Sequence, residues 1–100
     1  MERSNAALEA HKQSIANTMA GNKEGWLALF ADDAVVHDPV GVSPHDPKGT
    51  GFQGPEGISG FWDLMIGPGD LILTPHKRIC CGDHHCACLL YTSDAADELT

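Results

Sequence analysis

One hundred residues with 42% hydrophobic and 20% charged content bound the chain to one small globular domain, since domains commonly run to about 100–150 residues and disordered chains are less apolar. Six basic against fourteen acidic residues give a formal charge of −8, which repels nucleic-acid phosphates and anionic membranes, so neither is expected as a partner. No run is long and apolar enough for a membrane-spanning helix, and Met1-Glu2-Arg3-Ser4-Asn5 leads into mixed polar sequence rather than a signal-peptide core, so the expected location is cytoplasmic.

In chain order, Ser4 is the candidate cap of a first helix in which Leu8, Ile15 and Met19 form a stripe with His11, Ser14 and Thr18 beside it. Gly21 ends that helix. Asn22 caps a shorter one, whose apolar surface comes from Trp26, Leu27, Leu29 and Phe30 before the Asp32-Asp33 turn. The stretch Ala34-Val35-Val36-His37-Asp38 predicts a strand. Alternation sets Ala34, Val36 and Asp38 on one face and Val35 and His37 on the other, and Pro39 stops the strand.

Residues 40–54 are rich in proline and glycine and predict a long loop, of the kind that often serves as a lid over a pocket. A third helix follows. Ile58, Phe61, Trp62, Met65 and Ile66 keep its spacing, Pro55 and Glu56 suit its start, and Gly67-Pro68 closes it. Trp62, at the centre of the stripe, is expected to be buried. Asp70 to Cys80 predicts a strand interrupted at Pro75, and Cys81-Gly82-Asp83-His84 a hairpin turn into a strand from His85.

The stretch from Gly25 to Gly41, Gly-Trp-Leu-Ala-Leu-Phe-Ala-Asp-Asp-Ala-Val-Val-His-Asp-Pro-Val-Gly, resembles the second-helix and first-strand signature of SnoaL-like and ketosteroid isomerase-like proteins. The start of the third helix, Gly54-Pro55-Glu56-Gly57-Ile58, is similar to theirs as well, and the likeness covers roughly residues 11–86. The resemblance implies an α+β fold, the nuclear-transport-factor-2-like cone, with helices packed on a curved, mostly antiparallel sheet. That cone needs further strands after the hairpin, so the expectation is a sheet incomplete at the C-terminus. Cys88-Leu89-Leu90-Tyr91-Thr92-Ser93-Asp94-Ala95-Ala96-Asp97-Glu98 resembles a translated transposase adapter from DNA library preparation. The domain is therefore expected over 1–87, with 88–100 a non-native tail. Removing Asp94, Asp97 and Glu98 leaves the chain acidic.

The resemblance aligns Asp38 with the family's catalytic aspartate, a general base that moves a proton between carbons of an enone. The chemistry asks for a carboxylate beside an apolar pocket, because partial desolvation makes it a stronger base. The bland alternative is an aspartate that organises the strand end before Pro39. Ser14 stands where the isomerases carry the oxyanion tyrosine, and serine is the shorter and less acidic donor. Candidate pocket residues are Ser14, Phe30, Val36, Phe61, Trp62 and Met65, although aromatics at helical spacing read first as ordinary core. His37 is expected to point away from the site, and His11 and His76 are weaker candidates.

No cofactor is implied. Cys80, Cys81, Cys86 and Cys88, with Asp83, His84 and His85, carry zinc-ligand chemistry but lack the paired spacing of a zinc knuckle, so no metal is expected and the thiols should be free. The expected partner is a small apolar ligand, with a homodimer of the parent protein as a further possibility. Two functions stay open: proton-transfer chemistry by Asp38, of isomerase or cyclase type, or a non-catalytic ligand-binding or dimerisation module.

Overall fold

The computed structural model describes residues 4–69 and 71–94, with side chains as far as Tyr91. Asp70, where the predicted strand was to start, and residues 95–100 of the predicted tail lie outside them. Helix α1 spans Ala6–Ala20 and α2 spans Lys23–Leu27. Strand β1, Val35–Val36, pairs antiparallel with β2, Phe52–Gln53, and α3 spans Gly54–Phe61 before a π-helical turn over Trp62–Ile66. Strands β3, Leu71–Cys81, and β4, His85–Asp94, form a long antiparallel hairpin. The architecture is α+β, with α1 packed against that hairpin. No helix among the described residues is long and apolar enough to cross a membrane.

Gly21 ends α1 in the left-handed conformation, with its N–H shared between the Asn17 and Thr18 carbonyls, and the Asn22 side chain caps α2 through the Gly25 N–H at 3.0 Å. The start of α1 corrects the sequence reading. Asn5, not Ser4, is the cap: its backbone is extended and its side-chain oxygen accepts the Leu8 N–H at 2.8 Å, while Ser4 Oγ donates to Glu9 Oε1 at 2.6 Å. Asparagine also carries a donor. Its Nδ2 reaches the Gly82 and His85 carbonyls at 2.9 and 2.8 Å, tying the first turn of α1 to the tip of the hairpin.

The core is built from α2 and α3. Trp26, Ile58, Phe61 and Trp62 are each at most 5% exposed, and Leu27, Phe30, Ala34, Val36, Phe52 and Ile66 pack against them. The third helix departs from the expected α-helical spacing at its end. Gly67 donates to the Trp62 carbonyl five residues back, and a Cβ on Gly67 would sit 3.3 Å from that oxygen. The wider turn leaves Met65 39% exposed, off the buried stripe.

The predicted strand over 34–38 keeps its alternation but pairs only at Val35 and Val36. The loop that follows is not a lid. Residues 40–51 close on themselves around Asp46, 8% exposed, whose carboxylate accepts the Gly51 N–H at 2.9 Å. The irregularity expected at Pro75 is a register shift between Pro75 and Lys77, and the hairpin turn falls at 82–84 as expected. The ladder runs through position 88 to Asp94.

The contact of α1 with β3 carries a mismatch: His11 Nε2 and Arg78 Nε are both buried, and neither has a hydrogen-bond partner among the described residues. Burial first, then the Arg78 charge, holds His11 below the usual histidine pKa. The unfolded chain therefore binds the proton more readily, and this contribution to stability is complete above about pH 6.5 and is lost as pH falls toward the folded value. Replacing His11 by Gln should flatten the fall in urea midpoint between about pH 7 and pH 5.5, measured by circular dichroism. At neutral pH, Asn5→Ala should cost about 1–2 kcal/mol, against no more than about 0.5 kcal/mol for Ser4→Ala; equal effects would return the cap to Ser4.

Candidate functional site

The three helices, the π-helical turn, the segment after β1 and the hairpin border the main cavity, of about 390 Å³. Ser14, Ile15 and Thr18 border it from α1, Thr18 standing one helical turn beyond the other two. Trp26 closes one wall, Phe61, Met65 and Ile66 another, and Asp38 comes from the segment after β1. Leu71 and Leu73, two residues apart on one face of β3, complete it with Leu90, the register neighbour of Pro75 on β4. The walls are mostly hydrocarbon, with polar groups at Ser14, Thr18 and Asp38.

The sequence candidates divide accordingly. Ser14, Asp38, Phe61 and Met65 meet around this cavity. Phe30, Val36 and Trp62 do not line it. Phe30 turns to the far side of Trp26, edge-on at 4.6 Å between ring centroids, and borders a separate cavity with Leu27 and Pro55. Val36 is spent on the core cluster, and Trp62 is buried behind Trp26 at 5.2 Å. Ile15, Thr18, Ile66, Leu71, Leu73 and Leu90 line the cavity without being among the sequence candidates for it. Thr18 carried a signal in its i+4 relation to Ser14; Leu90 carried none, because cross-strand register places it.

Alternation does separate Asp38 from its neighbour. A Cβ on Gly51, whose φ is +82°, would lie 2.8 Å from the His37 ring and 2.6 Å from Val35 Cγ1, so those two side chains pack over the Gly51 backbone. Asp38 itself is exposed at the cavity wall, open to solvent on one side. His76 sits in the β3 bulge, exposed, with its ring edge-on to Tyr91 at 5.7 Å.

Ser14 is not a free hydroxyl. Its Oγ accepts the Trp26 indole N–H at 3.0 Å. Its own hydrogen has no acceptor among the described side-chain bonds and remains for a group in the cavity.

The cysteines lie elsewhere. Cys80 opposes Cys86, and Cys88 opposes Arg78, on one face of the hairpin, while Cys81 and His85 take the other. Burial, reinforced by the neighbouring thiols, pushes the Cys86 thiol up, and its Sγ donates to the Ala7 carbonyl at 3.6 Å. Among the described residues no three His, Cys, Asp or Glu side chains are grouped to hold a metal ion.

The Trp26–Ser14 bond generates a test. Ser14→Ala leaves a half-buried indole N–H unpaired and should cost about 1–2 kcal/mol by urea denaturation, while Ser14→Thr, which keeps the acceptor, should recover most of it. Identical losses for both variants would show that the site responds to volume and not to the bond.

Known proteins match this chain in sequence and fold. The SnoaL-like domain model covers residues 11–98. The crystal structure of RV0760c from Mycobacterium tuberculosis is 33% identical with a TM-score of 0.83, over 92% of this chain and 70% of that one. The same protein in complex with estradiol-17β-hemisuccinate matches at 34% identity and TM-score 0.82, over 89% and 69% of the two chains. The Δ5-3-ketosteroid isomerase of a Mycobacterium species matches at 34% identity and TM-score 0.81, again over 89% and 69%. With helices on antiparallel strands, this fold and these matches, the chain belongs to the SnoaL-like family of the nuclear-transport-factor-2-like, ketosteroid isomerase-like superfamily.

Proposed function

We propose that the cavity binds a small, mostly apolar, steroid-like molecule and that Asp38 acts on it as a proton-transfer base. The observation that carries the reading is a carboxylate-bearing residue on the wall of a mostly apolar cavity that Ser14 and Thr18 of α1 also line. Two further facts support it: one structural neighbour is a complex with a steroid ester, and another is a ketosteroid isomerase.

On a β,γ-unsaturated ketone, the Asp38 carboxylate takes a proton from the carbon between the carbonyl and the alkene. The bond pair moves toward oxygen as a dienolate. The carboxylic acid then returns the proton at the γ carbon, leaving the conjugated enone and regenerating the carboxylate. The dienolate oxygen needs a donor, and the Ser14 hydroxyl supplies one whose oxygen is already oriented by Trp26.

A second reading is a binding module without turnover. Its support is specific: a serine in place of the tyrosine, with its oxygen engaged by Trp26, and a carboxylate that water reaches. Both readings predict ligand-dependent quenching of Trp26, which lines the cavity.

An assay of a β,γ-unsaturated 3-ketosteroid, followed by the absorbance of the conjugated product alongside fluorescence titration, separates them. Asp38→Asn should lower turnover by about 10²–10⁴ while steroid affinity changes only a few-fold. Binding without turnover, unaffected by Asp38→Asn, would leave the binding module. No binding of any steroid would reject both.

A further inference from the structure

A second cavity of about 300 Å³ adjoins the main one, bordered by Thr18, Met19 and Ala20 at the end of α1, by Trp62 and Ile66 of the π-helical turn, and by Leu71 of β3. Three of these, Thr18, Ile66 and Leu71, also line the main cavity. The two spaces therefore share a boundary at these three residues. Each alone is at the small end of ligand pockets, which run to about 300–1,000 Å³.

Their chemistry differs. The main cavity is walled by hydrocarbon, whereas the second is built where two helical segments end, and helix ends leave carbonyl oxygens without intrahelical donors. The Gly21 N–H is taken by the Asn17 and Thr18 carbonyls, and the Asn22 N–H by Asn17. No hydrogen bond among the described residues reaches the Met19 or Ala20 carbonyl. Neither α1 nor the π-helical turn carries a basic residue in its last turn to complement the negative end of the dipole. The Met19 sulfur accepts the Leu73 N–H at 3.4 Å.

We propose that the two cavities are one elongated site, in which the main chamber holds the apolar body of the ligand and the second takes a hydroxyl-bearing extension that donates to the Met19 and Ala20 carbonyls. Thr18, Ile66 and Leu71 are the neck between the chambers. The arrangement favours a terminal alcohol over the same skeleton without it, and disfavours a terminal carboxylate, which would meet carbonyl oxygens and a negative dipole end. The inference rests on the reading of the main cavity as a steroid-type pocket and names the ligand class within it.

Progesterone, 11-deoxycorticosterone, which adds a terminal side-chain hydroxyl to the same skeleton, and the corresponding side-chain carboxylic acid make the test, by quenching of Trp26 fluorescence. The hydroxylated steroid should bind about threefold to tenfold tighter than progesterone, as one net hydrogen bond provides, and the acid weaker than either. Ala20→Phe, which fills the second chamber from an exposed helical position, should abolish the preference by weakening the alcohol. Ile66→Ala, which widens the neck, should increase it. Equal affinity for alcohol and progesterone, or a preference that survives Ala20→Phe, would overturn the two-chamber site while leaving the pocket reading intact. Failure of all three steroids to bind would overturn both.

Discussion

The indole of Trp26 is the point on which the other elements depend. It sits on a helix of one and a half turns that could not hold a position alone, yet its ring packs against Phe30 at 4.6 Å, Trp62 at 5.2 Å and Phe61 at 6.2 Å. Its one polar atom is used as well, since the N–H donates to Ser14 on α1. A buried tryptophan with its N–H paired brings a large apolar contact without the desolvation penalty of an orphan donor. The same ring forms a cavity wall. Core and pocket are therefore not separate features of this domain: the residue that joins α1, α2 and α3 also decides how far apart α1 and α3 stand, and so how wide the cavity is.

The hairpin is attached to this helical unit differently. Its contacts with α1 are largely polar at the tip, where Asn5 bridges two turn carbonyls, and carry unpaired atoms further down, at His11 and Arg78. Leu71, Leu73 and Leu90 supply the apolar floor of the cavity between them.

The polar groups on the cavity wall are not consumed by the fold. Ser14 spends its acceptor on Trp26 and keeps its donor; Asp38 makes no contact that the core requires and stands at the wall. His37, one residue away, is removed to the other face by the pleat and packs over Gly51. One step of backbone alternation thus separates a carboxylate available to a ligand from an imidazole that is not.

Much of this was legible in the sequence wherever the deciding physics is local. Gly21 and Asn22 mark the break between α1 and α2 because a left-handed residue and a side-chain acceptor act within one turn. The period of two across 34–38 determines the faces of Val36, His37 and Asp38, and the stripe Ile58, Phe61 and Trp62 is buried as its spacing requires. Tertiary structure decided the rest. Asn5 displaced Ser4 as the cap because its amide also reaches carbonyls some eighty positions away. Phe30 and Trp62 share the composition of pocket aromatics, but only the packing around Trp26 determines which side of that ring each occupies. Leu90 enters the cavity, and the loop over 40–51 stays out of it, through strand register and a buried Asp46, neither of which leaves a mark in local sequence. The sequence determined which residues could line a pocket, since that follows from polarity and period; which of them do was set by long-range contacts, whose geometry no short window of residues contains.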